Sequence, residues 1–337
     1  MITTQARDMS DDKWKSVAKY EDHLKKGINP KKWDGKSTDW KALRDDTLNS
    51  PKVSEIPFSN IYYLFDEDNA VLSIEAFERR GNLYFECAYP EKIIIENTLK
   101  SFYDGVYKIM GERNKDEAFF STYNERQYQT IIESGTEVFE ELVYSRLLKT
   151  DIDFSNLQAI IDSNKIAQSY ESKLFHNIPE ELYDRFVNYM NEVIIDSNFF
   201  HPKKRVINEY TMSDLLERVK DIKEDRFPYY MYMLFENNNI AGHCSVFVNM
   251  TDNKHWIDHI GAGYTSAGRK YRGNNLAKYL KAKMYLKIQE DFPDFQYIMT
   301  DTFPWNKYMY RINEQMGFAP FMKEYNFRFT KEHLEKI

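Results

Sequence analysis

A glycine-bearing loop between a strand pattern and an amphipathic helix pattern is the feature that most constrains this chain. The loop reads Thr265-Ser-Ala-Gly-Arg-Lys-Tyr-Arg-Gly-Asn-Asn-Leu-Ala277, and a helical pattern runs from Asn274 to Glu290. Such a turn presents several backbone N–H groups and the positive end of a helix dipole to one point. Lys270 and Arg272 add positive charge beside it. The loop therefore predicts an anion site, and a phosphate or pyrophosphate is the natural ligand.

Length and composition narrow the class of protein. A chain of 337 residues is too long for one ordinary core and suits two domains. Its formal net charge of −7 gives no general basic field, so we expect no nucleic-acid partner. The two cysteines, Cys87 and Cys244, form neither a disulfide framework nor a zinc pattern, so we expect no metal and a reducing compartment.

The sequence shows no signal for secretion or for membrane insertion. The segment from Met1 to Asp11 is polar and lacks the apolar core of a signal peptide. No apolar run approaches the ~20 residues that a membrane helix needs. We therefore expect a cytoplasmic protein without membrane contact.

The first half reads as an arm followed by a meander. Ser10 can cap a helix from Asp11 to Lys25, with Trp14, Val17 and Ala18 on one face. Strand patterns cover Ile61–Phe65, Ala70–Phe77, Leu83–Ala88 and Ala118–Tyr123, and helical spacing covers Glu96–Met110 and, with uncertain bounds, Phe139–Leu148. Residues 150–178 are polar and mixed and are expected to connect the halves.

The second half repeats this order. Helices are predicted from Pro179 through Val193, at Ser213–Lys223 and at Asn274–Glu290. Thr211 or Ser213 can cap the second of these helices. On the third, Lys278, Lys281 and Lys287 are expected to point largely toward water. Strands are predicted at Tyr229–Phe235, Ile240–Asn249, Trp256–Ala267, Phe295–Thr300 and Phe321–Phe329. The strand at Phe295–Thr300 is expected to run parallel to the strand at Trp256–Ala267, because a helix crosses between them. Asn306 caps a short helix that ends at Gly317. The shared order predicts two diverged copies of one α/β unit.

Three segments carry a resemblance to a known family: Thr265-Ser-Ala267, Arg272-Gly-Asn-Asn-Leu-Ala277 and Asn306-x-x-Met-x-x-x-Asn-x-x-Met-Gly-Phe318. Together they resemble the Gcn5-related N-acetyltransferase (GNAT) superfamily, in particular bacterial tandem-GNAT proteins of the mycothiol synthase-like type. The resemblance is strong over residues 225–320. It implies an α/β (α+β) fold with two tandem GNAT-like units, each a mixed, mostly antiparallel sheet flanked by helices, the N-terminal one degenerate. We expect an arm at 1–50, the degenerate domain at 51–165 and the acetyl-CoA-binding domain at 166–337.

The resemblance also implies acetyl-CoA as donor and an amine as acceptor. The pyrophosphate of coenzyme A (CoA) is expected on the N–H groups of Arg272, Gly273, Asn274, Asn275, Leu276 and Ala277, with Lys270 beside them. The pantetheine amides are expected to pair with the backbone of Thr265, Ser266 and Ala267 like an added strand, with Asn306 nearby. A monomer or homodimer acting on a small molecule is expected.

The sequence departs from the family pattern at four places. Asn275 replaces the second glycine, but asparagine tolerates left-handed backbone. Ala267 stands where the family has valine, and Asn313 stands where it often has the tyrosine that protonates the leaving thiolate. Tyr310 or Tyr308 is the expected substitute. In the first half the matching segment, Tyr89–Ile95, has no glycine, and we expect no CoA there.

Candidates for the general base lie upstream on the strand that carries Thr265. His259 shares side-chain parity with Thr265 and suits proton transfer near neutral pH, although a half-buried structural histidine is the alternative. Asp258 is the second candidate. His243 and Cys244 point to opposite faces of a strand, which excludes a thiol–imidazole pair.

Three functions fit the sequence. An acetyl-CoA-dependent N-acetyltransferase for a small primary amine is favoured, by direct attack in a ternary complex. A tRNA-dependent aminoacyl transferase is disfavoured by the intact loop and the acidic charge. A non-catalytic acyl-CoA-binding module stays open because position 313 lacks the tyrosine. Acidic residues such as Glu236, Asp258 and Asp301 could favour a polyamine, an aminoglycoside-like antibiotic or an amino acid as acceptor.

Overall fold

The structure is a computed structural model of the chain. It describes residues 2–5, 8–28, 39–42, 44, 60–66, 69–79, 82–87, 96–199, 209–224, 228–251, 254–258 and 264–336. The chain forms two compact units. Unit 1 comprises Met1–Glu141 and Lys323–Ile337, and unit 2 comprises Leu142–Met322. The predicted class, mixed β-structure flanked by helices, is confirmed.

The first part of the chain combines strands with helices. In chain order they are β1 (Ile2–Gln5), α1 (Asp11–Ile28), β2 (Asn60–Asp66), β3 (Asn69–Arg79), β4 (Asn82–Cys87), α2 (Glu96–Glu112), β5 (Glu117–Thr122) and α3 (Glu125–Glu133). The predicted antiparallel meander is confirmed, since β3 pairs antiparallel with β2 and with β4. Because α2 crosses between them, β4 and β5 run parallel.

The second part holds the elements that build the site. In chain order they are β6 (Val138–Leu148), α4 (Phe154–Ser163), α5 (Lys165–Gln168), β7 (Glu171–Phe175), α6 (Tyr183–Phe199), α7 (Met212–Glu224), β8 (Tyr229–Glu236), β9 (Asn239–Thr251), β10 (Lys254–Asp258), β11 (Thr265–Ala267), α8 (Leu276–Asp291), β12 (Phe295–Thr302), α9 (Lys307–Gln315), β13 (Ala319–Thr330) and α10 (Lys331–Leu334). β12 runs parallel to β10, as predicted from the crossover through α8.

Aromatic side chains build the core of unit 1. Phe102 of α2 lies 5.0 Å from Phe120 of β5 and 5.8 Å from Phe329 of β13, measured between ring centroids. All three rings are buried. Trp14 of α1 packs edge-on against Tyr63 at 6.0 Å, so the predicted helix of the N-terminal arm is held by an aromatic contact within unit 1.

The sheet of unit 2 is covered on both faces. Leu280 of α8 and Leu157 of α4 belong to one buried cluster with Ile257 and Ile298 of the sheet. Phe186 of α6 belongs to a second cluster with Leu215 of α7 and Met231 of β8. Successive residues of a strand such as β9 therefore enter different cores.

The helix predicted at Phe139–Leu148 is wrong, because the segment forms β6. The residues from Val143 to Leu148 pair antiparallel with β12, from Thr302 to Tyr297. Apolar residues at 139, 143 and 147 fit a helical period, but the pairing with β12 overrides that local pattern. Residues 150–178 are more than a connection, since they supply α4, α5 and β7.

The bounds of the two units differ from those of the predicted domains, which meet at residues 165 and 166. The difference lies in the last strand of each half. Residues 143–148 of β6 pair with β12 in unit 2, and residues 325–330 of β13 pair with β5 in unit 1. Each half of the sequence thus gives its final strand to the other unit, an exchange that a reading of consecutive elements does not reveal.

Candidate active site

β11 is a short strand that is paired on one side. Its three residues, Thr265–Ala267, lie antiparallel to residues 242–244 of β9. Among the described strands, β10 pairs with both β9 and β12, whereas β11 pairs with β9 alone. β12 continues beyond Met299, its last residue paired with β10, as far as Thr302. The sheet therefore opens between β11 and β12, and the outer edge of β11 lines that gap.

The loop after β11 is a tight turn with two left-handed residues. Gly268 donates its N–H to Ala241 O at 3.0 Å, which fixes the start of the loop on β9. Gly273 has φ +82°, and no atom lies within 4 Å of the point where a Cβ would stand. Asn275 has φ 55° and ψ 26°, which confirms that asparagine takes left-handed backbone here. The turn thus leaves open space beside its backbone at Gly273.

Helix α8 begins directly after this turn, with Asn275 as its N-cap residue. The Asn275 side chain makes no capping hydrogen bond. In any helix the first N–H groups lack an intrahelical acceptor, and here they belong to Leu276 and its neighbours. Asn164 Nδ2 donates to Asn274 O at 3.0 Å and holds the loop from outside. Loop and helix together have the backbone geometry that the predicted anion site requires, and the site itself stays a prediction.

Two of the basic residues of the loop, Lys270 and Arg272, are held by neighbours. Lys270 Nζ lies 2.7 Å from Glu236 Oε2, and Tyr271 Oη donates to the same oxygen at 3.2 Å. The hydrogen bond from Lys270 lowers the pKa of the Glu236 carboxyl. Arg272 Nε donates to Ala267 O at 3.2 Å and ties the loop to β11. The charge of Lys270 is therefore paired with Glu236, whereas the Arg272 side chain is hydrogen-bonded to the end of β11.

Helix α9 borders the gap from the side of β12. Asn306 caps it as predicted, since its Oδ1 accepts from Met309 N at 3.3 Å. Gly317 follows the helix with φ +91°, which confirms the predicted glycine stop. A Cβ at Gly317 would stand 3.3 Å from Leu147 Cδ1, so this turn packs closely on β6.

Structural comparison identifies the fold. No family model matches the chain, and no curated protein matches it. A "Tandem GNAT protein from the clavulanic acid biosynthesis pathway" superposes with a TM-score of 0.61 at 10% identity, covering 98% of both chains. The chain has the tandem GNAT fold. A GCN5-related N-acetyltransferase from Sphaerobacter thermophilus superposes with a TM-score of 0.54 at 11% identity, over 98% of this chain and 95% of the other.

A third GNAT structure resembles the chain as part of a larger protein. It is described as a GCN5-related glucosamine N-acetyltransferase region in a fungal multi-domain GH3 β-N-acetylglucosaminidase. The TM-score is 0.54 at 10% identity, and the match covers 97% of this chain and 38% of that one. At these identities the likeness establishes the fold of the chain.

Within this GNAT fold, Lys281 of α8 is the residue that the sequence places wrongly. It is predicted to face water, yet only 1% of it is exposed. Its Nζ donates to Asn313 Oδ1 of α9 at 2.8 Å, and Asn313 Nδ2 donates to Thr302 Oγ1 of β12 at 2.8 Å. The helical period marks one apolar face of α8, but α4 packs against another. The apolar residues Tyr279 and Ala282, also buried, were the available sign of a wider buried face.

The two strand residues at the middle of β9 enter different surroundings, as predicted. His243 Nδ1 lies 3.0 Å from Ser266 Oγ, which lies 2.6 Å from Tyr189 Oη of α6. Burial is the main cause that lowers the pKa of His243 to about 3, and the charge of Arg218 adds to it. The imidazole therefore stays neutral. Cys244 faces α8 instead, and burial raises the pKa of its thiol to about 11. A thiol–imidazole pair is therefore excluded.

The predicted acid and base have different outcomes. His259, the proposed base, lies outside the described residues. Tyr310 lies in the first turns of α9, half-buried, with its N–H bonded to Asn306 O at 3.0 Å. Tyr308 is 75% exposed. Both tyrosines thus stand on the helix that borders the gap, and their roles stay predictions.

In the described ranges, no group of three or more His, Cys, Asp or Glu side chains is arranged to hold a metal ion. None of the helices described is long and apolar enough to cross a bilayer.

Proposed function

We propose that the chain is an acetyl-CoA-dependent N-acetyltransferase that transfers an acetyl group to a primary amine of a small molecule. One observation carries the proposal: the exposed edge of β11 leads directly into an open, left-handed turn and the N-terminus of α8. The edge offers amide groups to an extended amide-bearing chain, and the turn offers N–H groups to a diphosphate. CoA carries both groups in that order.

The residues of the loop fit this ligand. Gly273 leaves its flank open, whereas a side chain there would stand where the diphosphate approaches. The N–H groups of Arg272 to Ala277 would take the diphosphate, and Arg272 would add charge from the end of β11. Lys270 contributes less, because it is paired with Glu236. Asn306 keeps its amide nitrogen available beside the gap, since its oxygen caps α9.

Acetyl transfer needs three things from the chain. The amine must be neutral to attack, the thioester carbonyl needs an N–H donor, and a group must take the proton. A backbone N–H of β11 supplies the donor. His259 is the proposed base and Tyr310 the proposed acid. The attack is direct within a ternary complex, so no covalent bond to the protein forms.

The acceptor is proposed by chemistry alone. Asp301 of unit 2 carries negative charge that favours a cationic amine, such as a polyamine, an aminoglycoside-like compound or an amino acid, whereas the charge of Glu236 is paired with Lys270. A monomer or homodimer in the cytoplasm, with no nucleic-acid partner, completes the proposal. The degenerate unit 1 is proposed to bind no CoA, and the segment that bears on this, residues 89–95, lies outside the described residues.

One alternative has an observation in its favour. A non-catalytic acyl-CoA-binding module would retain the loop and the β11 edge while lacking an acid at position 313, where Asn313 is buried and bonded to Lys281. Asparagine is a poor proton donor, so turnover rather than binding decides between the two functions.

Release of free thiol from acetyl-CoA, measured over a panel of amines, tests the proposal. We expect turnover with at least one amine and its loss in the double variant Arg272→Glu, Gly273→Asp. Gly135→Asp is the matched control, because Gly135 also has φ +90° and open space around it but belongs to unit 1. CoA binding without thiol release over the whole panel would favour the binding module. Equal turnover by the double variant would refute the site.

A further inference from the structure

Lys281 is a buried cation whose described partners include no ion-paired carboxylate. It lies on α8 with 1% exposure, and its one direct acceptor among the described residues is the neutral amide oxygen of Asn313, 2.8 Å away. Its ammonium also lies 5.2 Å from the ring centroid of Phe318. Burying an ammonium without a directly paired carboxylate costs stability, so a residue in this state needs a reason other than packing.

The position of Lys281 supplies that reason. On one side it reaches Thr302, the last residue of β12, through Asn313. On the other side it lies within electrostatic reach of the Cys244 thiol, which accepts a 3.3 Å hydrogen bond from Thr265 Oγ1 of β11. The ammonium is therefore linked through Asn313 to the end of β12, and the β9 thiol near it is bonded to Thr265 of β11.

The gap is where charge develops under the proposed function. The amine nitrogen bonds to the thioester carbonyl carbon, and the carbon–sulfur bond breaks with its electron pair left on sulfur. The proton of the amine passes to the base or to water. The leaving group is thus a thiolate, formed at the β11 edge in a site of low dielectric, where a fixed positive charge is most effective.

We propose that Lys281, held by Asn313 near the end of β12, is the positive charge that stabilises the CoA thiolate as it leaves. The inference rests on the proposed function. Lys281 supplies charge to the leaving sulfur, and the thiolate then takes its proton from Tyr310, the proposed acid. The buried ammonium and the leaving thiolate are counter-ions that are brought together only while the substrate is bound.

Two titratable groups act on the charge of Lys281, and a third lies nearby on the same helix. The Cys244 thiol on β9 and the Asp301 carboxylate on β12 favour its charged form, and Tyr285 lies one turn along α8 against the same Phe318 ring. Burial outweighs them and lowers the pKa of Lys281 to about 8. The ammonium is therefore mostly charged at neutral pH and loses its proton in mildly alkaline solution.

Ionisation of the CoA thiol in the complex tests the proposal. The thiolate is followed by its ultraviolet absorbance across a pH titration, with desulfo-CoA as blank, for the full-length wild type, Lys281→Met and Lys283→Met. Lys283 is the matched control, since it is a partly buried lysine of the same helix that donates to Ser172 Oγ at 2.8 Å. We expect the wild type and the Lys283 variant to ionise bound thiol about tenfold more readily than Lys281→Met.

Steady-state kinetics give a second readout, which would not change if the role of Lys281 were only structural. In Lys281→Met, kcat should fall about tenfold or more with KM for acetyl-CoA nearly unchanged, and the alkaline decline of kcat near pH 8 should disappear. If Lys281→Met ionises bound thiol and turns over as the wild type does at each pH, the proposal is overturned while the proposed function stands. If the wild type binds no CoA, both the proposal for Lys281 and the proposed function are refuted.

A second variant keeps the test decisive if Lys281→Met does not fold. Asn313→Asp places a carboxylate against the ammonium and cancels its charge without removing it. We expect the pKa of the bound thiol to return to that of free CoA and kcat to fall. A bound thiol that ionises as in the wild type, with unchanged kcat, would overturn the proposal.

Discussion

The two units place the same element against a sheet in different ways. α2 of unit 1 and α8 of unit 2 each cross between parallel strands. The described charged residues of α2 are exposed, at Lys100, Asp104, Lys108 and Glu112, and its buried face is occupied by rings such as Phe102. α8 instead buries Lys281 beneath an opening in its sheet. One unit is arranged for packing, and the other carries buried charge where a ligand is proposed to bind.

The largest expected effect breaks unit 1 alone. Phe102→Ala removes a fully buried ring that contacts Phe120 and Phe329, so it should lower the free energy of unfolding by about 4 kcal/mol. Chemical denaturation measures this loss, and calorimetry should find the Kd for CoA unchanged. A parallel loss of CoA affinity would mean that the site depends on the core of unit 1.

The buried Lys281 of unit 2 should make the stability of the protein depend on pH. Lys281 has a pKa of about 8 in the folded protein against an ordinary 10.5, so between these values the unfolded chain binds more protons. Stability therefore rises with pH across this window, since below pH 8 the buried charge opposes folding. Relative to Lys281→Met, the wild type should gain about 3 kcal/mol from pH 8 to pH 10.5. Denaturant titrations at several pH values measure it, and parallel curves would show that Lys281 is not buried as described.

The smallest effect compares two left-handed glycines. Gly317→Ala and Gly135→Ala both force a Cβ onto backbone near φ +90°, at a cost of about 1 kcal/mol each. Only at Gly317 does the new Cβ press on a neighbour, Leu147 Cδ1 at 3.3 Å. Thermal unfolding should therefore find Gly317→Ala the less stable by a few tenths of a kcal/mol. Equal losses would mean that Leu147 moves aside freely.

Local chemistry is what the sequence predicts well. The left-handed Asn275, the Asn306 cap and the glycine stop at Gly317 depend on residues within a few positions of each other, and all three are confirmed. The parallel entry of β12 follows from the handedness of one crossover.

Distant packing is what the sequence does not predict. The sequence places Lys281 in water because its helix has one evident apolar stripe, whereas α4 covers another side of that helix. The sequence predicts a helix in place of β6 because the partner strand, β12, lies about 150 residues away in the chain. Both errors arise where a contact far along the chain decides the environment of a residue.

Titration calorimetry of CoA into the full-length protein tests the central claim most directly. The wild type and Gly135→Asp should bind one CoA per chain with equal Kd, and the double variant Arg272→Glu, Gly273→Asp should lose affinity by about a hundredfold, or about 3 kcal/mol. Such a result would fix the ligand at the turn between β11 and α8. Binding of CoA with the same Kd by all three proteins, or by none, would contradict the account.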